Sequence, residues 1–204
     1  METRNNHGHL VEVTPDVRPL ERYAHLVGEE RVNALLKRAG ALVEAIDGAS
    51  IWNVNSTCAG GGVAEMLRSL VGYARGAGIN CRWAVIEGAP KFFKLTKRIH
   101  HALHGSPGDG TPLDAAARAA YEDTLRRVAV DIVHQIGKGD VVILHDPQTA
   151  GLVGSLLEVG ARVIWRCHVG HDQHNDEVER GWEFLAPYVS QAEITVFSDR
   201  KSVV

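Results

Sequence analysis

No apolar run in this 204-residue sequence reaches the ~18 residues that a membrane-spanning helix requires. The opening METRNNHGH is polar where a signal peptide carries an apolar core, so the cytoplasm is the expected location. An excess of one charge is also missing: 22 Lys and Arg face 25 Asp and Glu, a formal net charge of -3 spread through the chain. Such a distribution makes no basic field able to displace counterions from nucleic acid, so neither nucleic acid nor a membrane is an expected partner. Cysteine is scarce and odd in number. Cys58, Cys81 and Cys167 stand far apart, in or beside predicted strands, which argues against a disulfide framework or a zinc knuckle and for three reduced thiols. The sequence also has no internal repeat, no G-x-G-x-x-G fingerprint and no P-loop lysine followed by Ser or Thr.

What is present is ordinary globular material, 45% hydrophobic and 23% charged, enough for one domain with a sizeable core plus a short extension. Residues 1–49 read as that extension: Pro15 and Pro19 mark irregular chain, and Val32, Leu35, Leu36, Ala39, Leu42, Val43 and Ile46 form a helix stripe that Gly48 closes. From residue 50 onward strands and helices alternate. The β-rich SIWNVN runs into Gly60-Gly61-Gly62. A helix on Val63, Met66, Leu67, Leu70, Val71 and Ala74 follows, then Gly76 and Gly78, then the strand CRWAVI, which is one βαβ unit. Helical pieces over 91–104 and 113–136 flank a Gly/Pro loop. Val141-Val142-Ile143-Leu144 is a continuous apolar run suited to a strand buried on both faces. A helix over 149–159, a strand over 162–166, a helix over 177–185 and a strand over 193–197 complete the pattern. The alternation predicts an α/β fold, a Rossmann-like open and mostly parallel sheet with helices on both faces, spanning 50–204. In such a sheet, ligands bind at the carboxyl ends of the strands.

Three polar clusters occupy those ends: Asn55-Ser56-Thr57 with the glycine triplet, His145-Asp146-Pro147-Gln148, and Cys167-His168 with His171 and Asp172. A glycine turn feeding a helix lets backbone N–H groups approach a phosphate, yet tight turns also use glycine for steric reasons, and spacing alone does not separate the two. Asp146 before Pro147 suits a capped turn. Set beside an imidazole and the Gln148 amide, it also supplies the mixed donors and acceptors that sugar hydroxyls need. His168 reads either as a satisfied core histidine or as a site residue. The spacing of His168, His171, Asp172 and His174 lies in a loop and matches no zinc pattern tied to a structural unit, so no metal is expected. His100, His101 and His104, beside Lys94, Lys97 and Arg98, read as a solvated helix face.

The segments WNVNSTCAGGGVAEML, RWAVIEGAPKFFKLTKRIHHALHG, DVVILHDPQTAGL and VIWRCHVGHD, in this order and spacing over residues 51–197, resemble the trehalose synthases of glycosyltransferase family 4 and their relatives labelled trehalose phosphorylase. The resemblance implies a GT-B architecture, of which this chain is the N-terminal, acceptor-side half. It also implies retaining transfer of glucose from a nucleoside diphosphate glucose to glucose, giving α,α-trehalose, with no metal or other cofactor. It places Gly61 and Gly62 under the donor diphosphate and His168 beside the transferred sugar. Glu87, Asp146 and Gln148 are expected among acceptor-sugar contacts. Sugars and nucleotide sugars are the implied partners, with a homodimer compatible with the full-length enzyme. The donor-binding domain is expected to lie outside these residues, so the chain reads as truncated and inactive by itself; a phosphorylase and a non-catalytic sugar-binding module are the alternatives. The loop Val169-Gly170-His171-Asp172-Gln173 departs from the commoner family wording, which bears on acceptor specificity.

Overall fold

The computed structural model describes residues 2–5 and 8–197. Strands β1 (Glu2–Asn5) and β2 (Leu10–Thr14) come first, then a 3-10 turn at Leu20–Tyr23, α1 (Ala24–Val27) and α2 (Glu29–Ala45). The alternating region follows as β3 (Ile51–Asn55), α3 (Gly62–Gly76), β4 (Cys81–Ile86), α4 (Pro90–Leu103), α5 (Ala115–Ile132) and β5 (Val141–His145). A 3-10 turn at Ala150–Leu152 leads into α6 (Val153–Glu158), and β6 (Arg162–Cys167), α7 (Asp176–Val189) and β7 (Ile194–Phe197) complete the order.

One seven-stranded sheet runs β1-β2-β4-β3-β5-β6-β7. The five strands from β4 to β7 are parallel, as the alternation predicts, and β2 pairs antiparallel with β4. The chain leaves β3 for β4 on one side and returns to β5 on the other, so the order reverses at β3, the position where open sheets of this kind part their loops.

Strand periodicity divides the chemistry of the two faces. Trp52 and Val54 of β3 are in register with Val142 and Leu144 of β5, and these with Val163 and Trp165 of β6. All six are fully buried in the larger core, under Phe92, Leu95, Ile99, Tyr121, Leu125, Leu156, Phe184 and Leu185 from α4, α5, α6 and α7. The alternate residues face the other way, where α3 packs Ala64, Leu67 and Val71 on Val13, Trp83 and Val85. That second face also carries Asn53, Asn55, His145 and, opposite His145, Arg166. Two helices start on side-chain caps: Asp114 accepts from Ala117 N–H at 2.9 Å and Asn175 from Val178 N–H at 2.9 Å. Among the described residues no helix is long and apolar enough to cross a membrane.

Residues 15–19 are irregular, as Pro15 and Pro19 indicate, but the residues ahead of them are strands of the sheet and not part of a separate extension. Leu10 and Val13 are each 1% exposed, on opposite clusters, because β2 completes the sheet beside β4. The stretch that follows lies across α3: Arg18 N–H donates to Gly72 O at 3.0 Å and Arg75 Nη1 to Pro15 O at 3.2 Å. A Cβ on Gly76 would fall 2.0 Å from Arg18 O. The helix expected over 32–46 is present as α2, with Val32 and Ala39 buried but Leu35 and Leu42 exposed. Gly76→Ala is therefore expected to destabilise the chain by about 1–3 kcal/mol in urea unfolding, backbone crowding outweighing the helix-propensity gain. In exposed α2, where a Cβ on Gly40 meets nothing within 4 Å, Gly40→Ala is expected to stabilise it by about 0.5–1 kcal/mol.

Candidate functional site

At the carboxyl ends of β3, β5 and β6 a crevice of about 390 Å³ opens, bounded on one side by the start of α3. Its walls include Asn55, Gly61, Gly62, Asp146, Gln148 and His168, with His100 reaching in from α4. The strand-end rule thus gathers five of the six anticipated site residues, which come from three separate loops.

The β3–α3 loop is tied down from within. Asn55, 4% exposed, accepts Trp83 Nε1–H at 2.8 Å and donates through Nδ2 to Thr57 O at 2.8 Å. Thr57 Oγ1 donates to Ala59 O at 2.6 Å, and Arg68 Nη2 donates to Cys58 O at 3.1 Å. The chain then passes through Gly60 at φ 73 and Gly61 at φ 86, ψ 152, conformations that a side chain would strain. No side chain caps α3 at Gly61. The first-turn amides, which have no intrahelical acceptor, therefore face the crevice with the positive end of the helix dipole, a suitable receptor for an anion.

Opposite them, Asp146 holds a left-handed φ of 64, which Asp tolerates better than most side chains. Its backbone pairs with β6, and Asp146 Oδ1 accepts the His168 backbone N–H at 2.7 Å, joining the β5 and β6 loops. Burial raises the Asp146 carboxyl to about 6, against the lowering effects of that hydrogen bond and of the Arg166 charge. Burial and then Arg166 push the half-exposed His168 imidazole down to about 4. Beneath it lies His145, 1% exposed, its ring stacked on that of His168 with centroids 5.3 Å apart. Burial first, then His168 and Arg166, push His145 down to about 3, so both rings are neutral near pH 7. The wall therefore presents a carboxyl, an amide, a neutral imidazole and helix-start amides around one opening, a mixture suited to a polyhydroxylated, anion-bearing ligand.

Glu87 is placed elsewhere. Its N–H donates to His9 O at 2.7 Å, prolonging the β4–β2 pairing away from β3, and it lines a separate hollow with Lys91, Thr124 and Arg127. His145 belongs to the same cluster as Asp146 and Gln148 but sits under the crevice and does not line it. His171 turns back on its own loop, with Nδ1 against Gln173 O at 2.9 Å and outside the crevice lining. Sequence reasoning missed three contributors. His100 belongs to the crevice and not to a solvated face; burial, then His104, His101 and Lys97, lower its pKa. Arg166 supplies the positive charge felt by Asp146, His145 and His168. Asn53, 2% exposed, contacts His145. The alternation Trp52-Asn53-Val54-Asn55 carried the signal for Asn53, since it commits two amides to one buried face.

Comparisons with known proteins bear on the family and the fold. The profile of the family described as trehalose synthase, N-terminal domain, matches residues 53–204. Trehalose synthase of Rubrobacter xylanophilus is 37% identical over 195 residues, covering 94% of this chain and 44% of that protein. Trehalose phosphorylase of Pleurotus sajor-caju is 31% identical over 170 residues, covering 80% of this chain and 22% of that protein. Among solved structures, an α,α-trehalose-phosphate synthase (UDP-forming) from Burkholderia vietnamiensis superposes with a TM-score of 0.53 at 14% identity. That match covers 75% of this chain and 40% of the other, and speaks to the fold alone. The chain thus spans less than half the length of the curated relatives it matches.

Proposed function

The chain belongs to the family of trehalose synthase N-terminal domains and has the Rossmann-like fold of the N-terminal half of a GT-B glycosyltransferase, and from that premise we propose that its crevice is one wall of a glucosyl-transfer site. The observation that carries the reading is the convergence of Gly61, Gly62, Asp146, Gln148 and His168 on a single opening. The amides at the start of α3 receive the diphosphate of a nucleoside diphosphate glucose, His168 faces the transferred sugar, and Asp146 and Gln148 bind hydroxyls of the acceptor glucose. Glu87, in its separate hollow, is assigned no contact here. α,α-Trehalose is the product, formed with retention. The departing diphosphate takes the acceptor proton and no side chain acts as nucleophile. Its stabilisation calls for preorganised cations, and the residues that line this wall offer backbone amides and neither Lys nor Arg. The chain by itself is accordingly expected to form no trehalose at an enzymatic rate from nucleotide glucose and glucose; ordinary turnover would contradict that expectation. The match to a trehalose phosphorylase favours one competing reading, in which orthophosphate takes the diphosphate position. Including orthophosphate in the titration below distinguishes the two.

Calorimetry of the chain with a nucleoside diphosphate glucose, glucose and trehalose tests the reading. Asp146→Asn is the informative variant, because Asn also tolerates a left-handed φ and can still accept from His168 N–H. Loss of the carboxylate is expected to weaken sugar binding about tenfold, the effect of one charge-assisted hydrogen bond. Unchanged affinity would remove Asp146 from the sugar site.

A further inference from the structure

Behind His168 runs a chain of hydrogen bonds whose direction is set at its buried end. Asn53 Nδ2 faces Cys81 Sγ at 3.5 Å, and Asn53 Oδ1 faces His145 Nε2 at 3.1 Å. A carboxamide oxygen has no proton to give, so His145 Nε2 carries the hydrogen and donates. A neutral imidazole has a single N–H, which leaves His145 Nδ1 bare. That bare nitrogen lies 3.0 Å from His168 Nε2, so His168 Nε2 must in turn donate, and His168 Nδ1, which then carries no hydrogen, can act only as an acceptor. Asn53 and His145 are 2% and 1% exposed, so water does not compete for these bonds, and His168 is the member that reaches the crevice.

We propose that Asn53 and His145 are positioning residues that lock His168 in its Nε2–H tautomer, so that Nδ1 meets the crevice as an acceptor for a sugar hydroxyl. The second half of the proposal rests on the sugar-transfer reading of the crevice. Neutrality of both rings, which burial enforces, is what gives the chain its sense. A proton on His145 would make both of its nitrogens donors, and His168 would then have to accept through Nε2 and carry its hydrogen on Nδ1. Among the described residues, the charged groups that act on the pair include Asp146, which binds the His168 backbone, and Arg166, whose positive charge opposes protonation of either ring. The consequence is a discrimination rule. At the position His168 contacts, the ligand must supply a hydrogen, as a hydroxyl does and a fluorine or an ether oxygen does not.

Histidine ring nitrogen NMR on the 15N-labelled 204-residue chain reads this directly. At pH 7 both His145 and His168 are expected as neutral Nε2–H forms. Asn53→Leu removes the terminal acceptor and is expected to release His168 into a mixture of tautomers, whereas Asn53→Asp keeps an acceptor and is expected to hold the tautomer while raising the His145 pKa. Should Asn53→Leu not fold, the unmodified chain and Asn53→Asp decide the matter. A His168 found as Nδ1–H or as imidazolium overturns the proposal, as does a His168 tautomer that Asn53→Leu leaves unchanged. Glucose, trehalose or a nucleoside diphosphate glucose is then expected to move the His168 Nδ1 resonance toward the hydrogen-bonded range. A locked tautomer that none of them perturbs contradicts the sugar contact while leaving the relay demonstrated, so the two failures are distinguishable.

Discussion

On acidification from pH 7 to pH 3.5 the chain is expected to lose stability mainly through one buried ring, and the His145→Gln variant to lose distinctly less. His145 is pushed from 6.5 to about 3, chiefly by burial. Between those values the unfolded chain binds a proton at this side chain that the folded chain refuses, so lowering the pH favours unfolding. The contribution is complete above pH 6.5 and fades as pH falls toward 3, amounting to on the order of 4 kcal/mol at most. His168, lowered to about 4, acts with the same sign, but its exposure to solvent reduces the effect. Asp146 acts with the opposite sign. Raised from 3.8 to about 6, it holds a proton in the folded state that the unfolded chain releases, so its share is present at low pH and is lost as pH rises through 6. His145 prevails because it is almost fully buried and displaced further, while Asp146 is only partly buried. Removing the opposing group should steepen the loss, so Asp146→Asn is expected to lose more stability on acidification than the unmodified chain. Urea midpoints at pH 7, 5 and 4 check the ranking. Three parallel pH profiles would contradict it.

The second large effect is expected at Gly61→Val. The backbone there, φ 86 and ψ 152, belongs to a region that non-glycine residues enter at about 1–3 kcal/mol. A Cβ meets nothing within 4 Å, so the valine side chain projects into open space at the crevice wall and not into the core. It would stand where a diphosphate has to approach the first amides of α3. Affinity for a nucleoside diphosphate glucose is expected to fall at least about tenfold. Gly28→Val is the matched control: φ is 87 and ψ 149, a Cβ again meets nothing within 4 Å, and the position lies outside the crevice lining. It should show comparable strain with unchanged affinity. Equal losses of affinity in the two variants would show that strain, and not occupancy of the anion position, governs the result.

Residues whose role follows from local pattern were legible in the sequence. The run Val141-Val142-Ile143-Leu144 is a strand flanked by others on both sides, the βαβ unit through Gly61 and Gly62 closes as its periodicity indicates, and the residues just past β3, β5 and β6 line one crevice. Features set by distant pairing were not. The strand Leu10–Thr14 owes its place to β4, some seventy residues away, and the prolines that follow it, with its polar neighbours, read as a tail. Glu87 obeys the strand-end rule in position but not in direction, because its amide continues the ladder toward His9. His100 faces the crevice because α4 packs beside it, and no spacing within the helix distinguishes it from His101 or His104. The Asn53–His145–His168 chain needed register as well as periodicity, since it joins one face of β3 to the same face of β5.

Backbone amide NMR of the labelled chain, titrated with a nucleoside diphosphate glucose and then with glucose, tests most directly whether this opening is the sugar-transfer wall. The account predicts saturable shifts confined to Gly61, Gly62, Val63, Asp146, Gln148 and His168, with the hollow around Glu87 unaffected. Shifts clustered around Glu87, Lys91 and Arg127, or none at the start of α3, would contradict it.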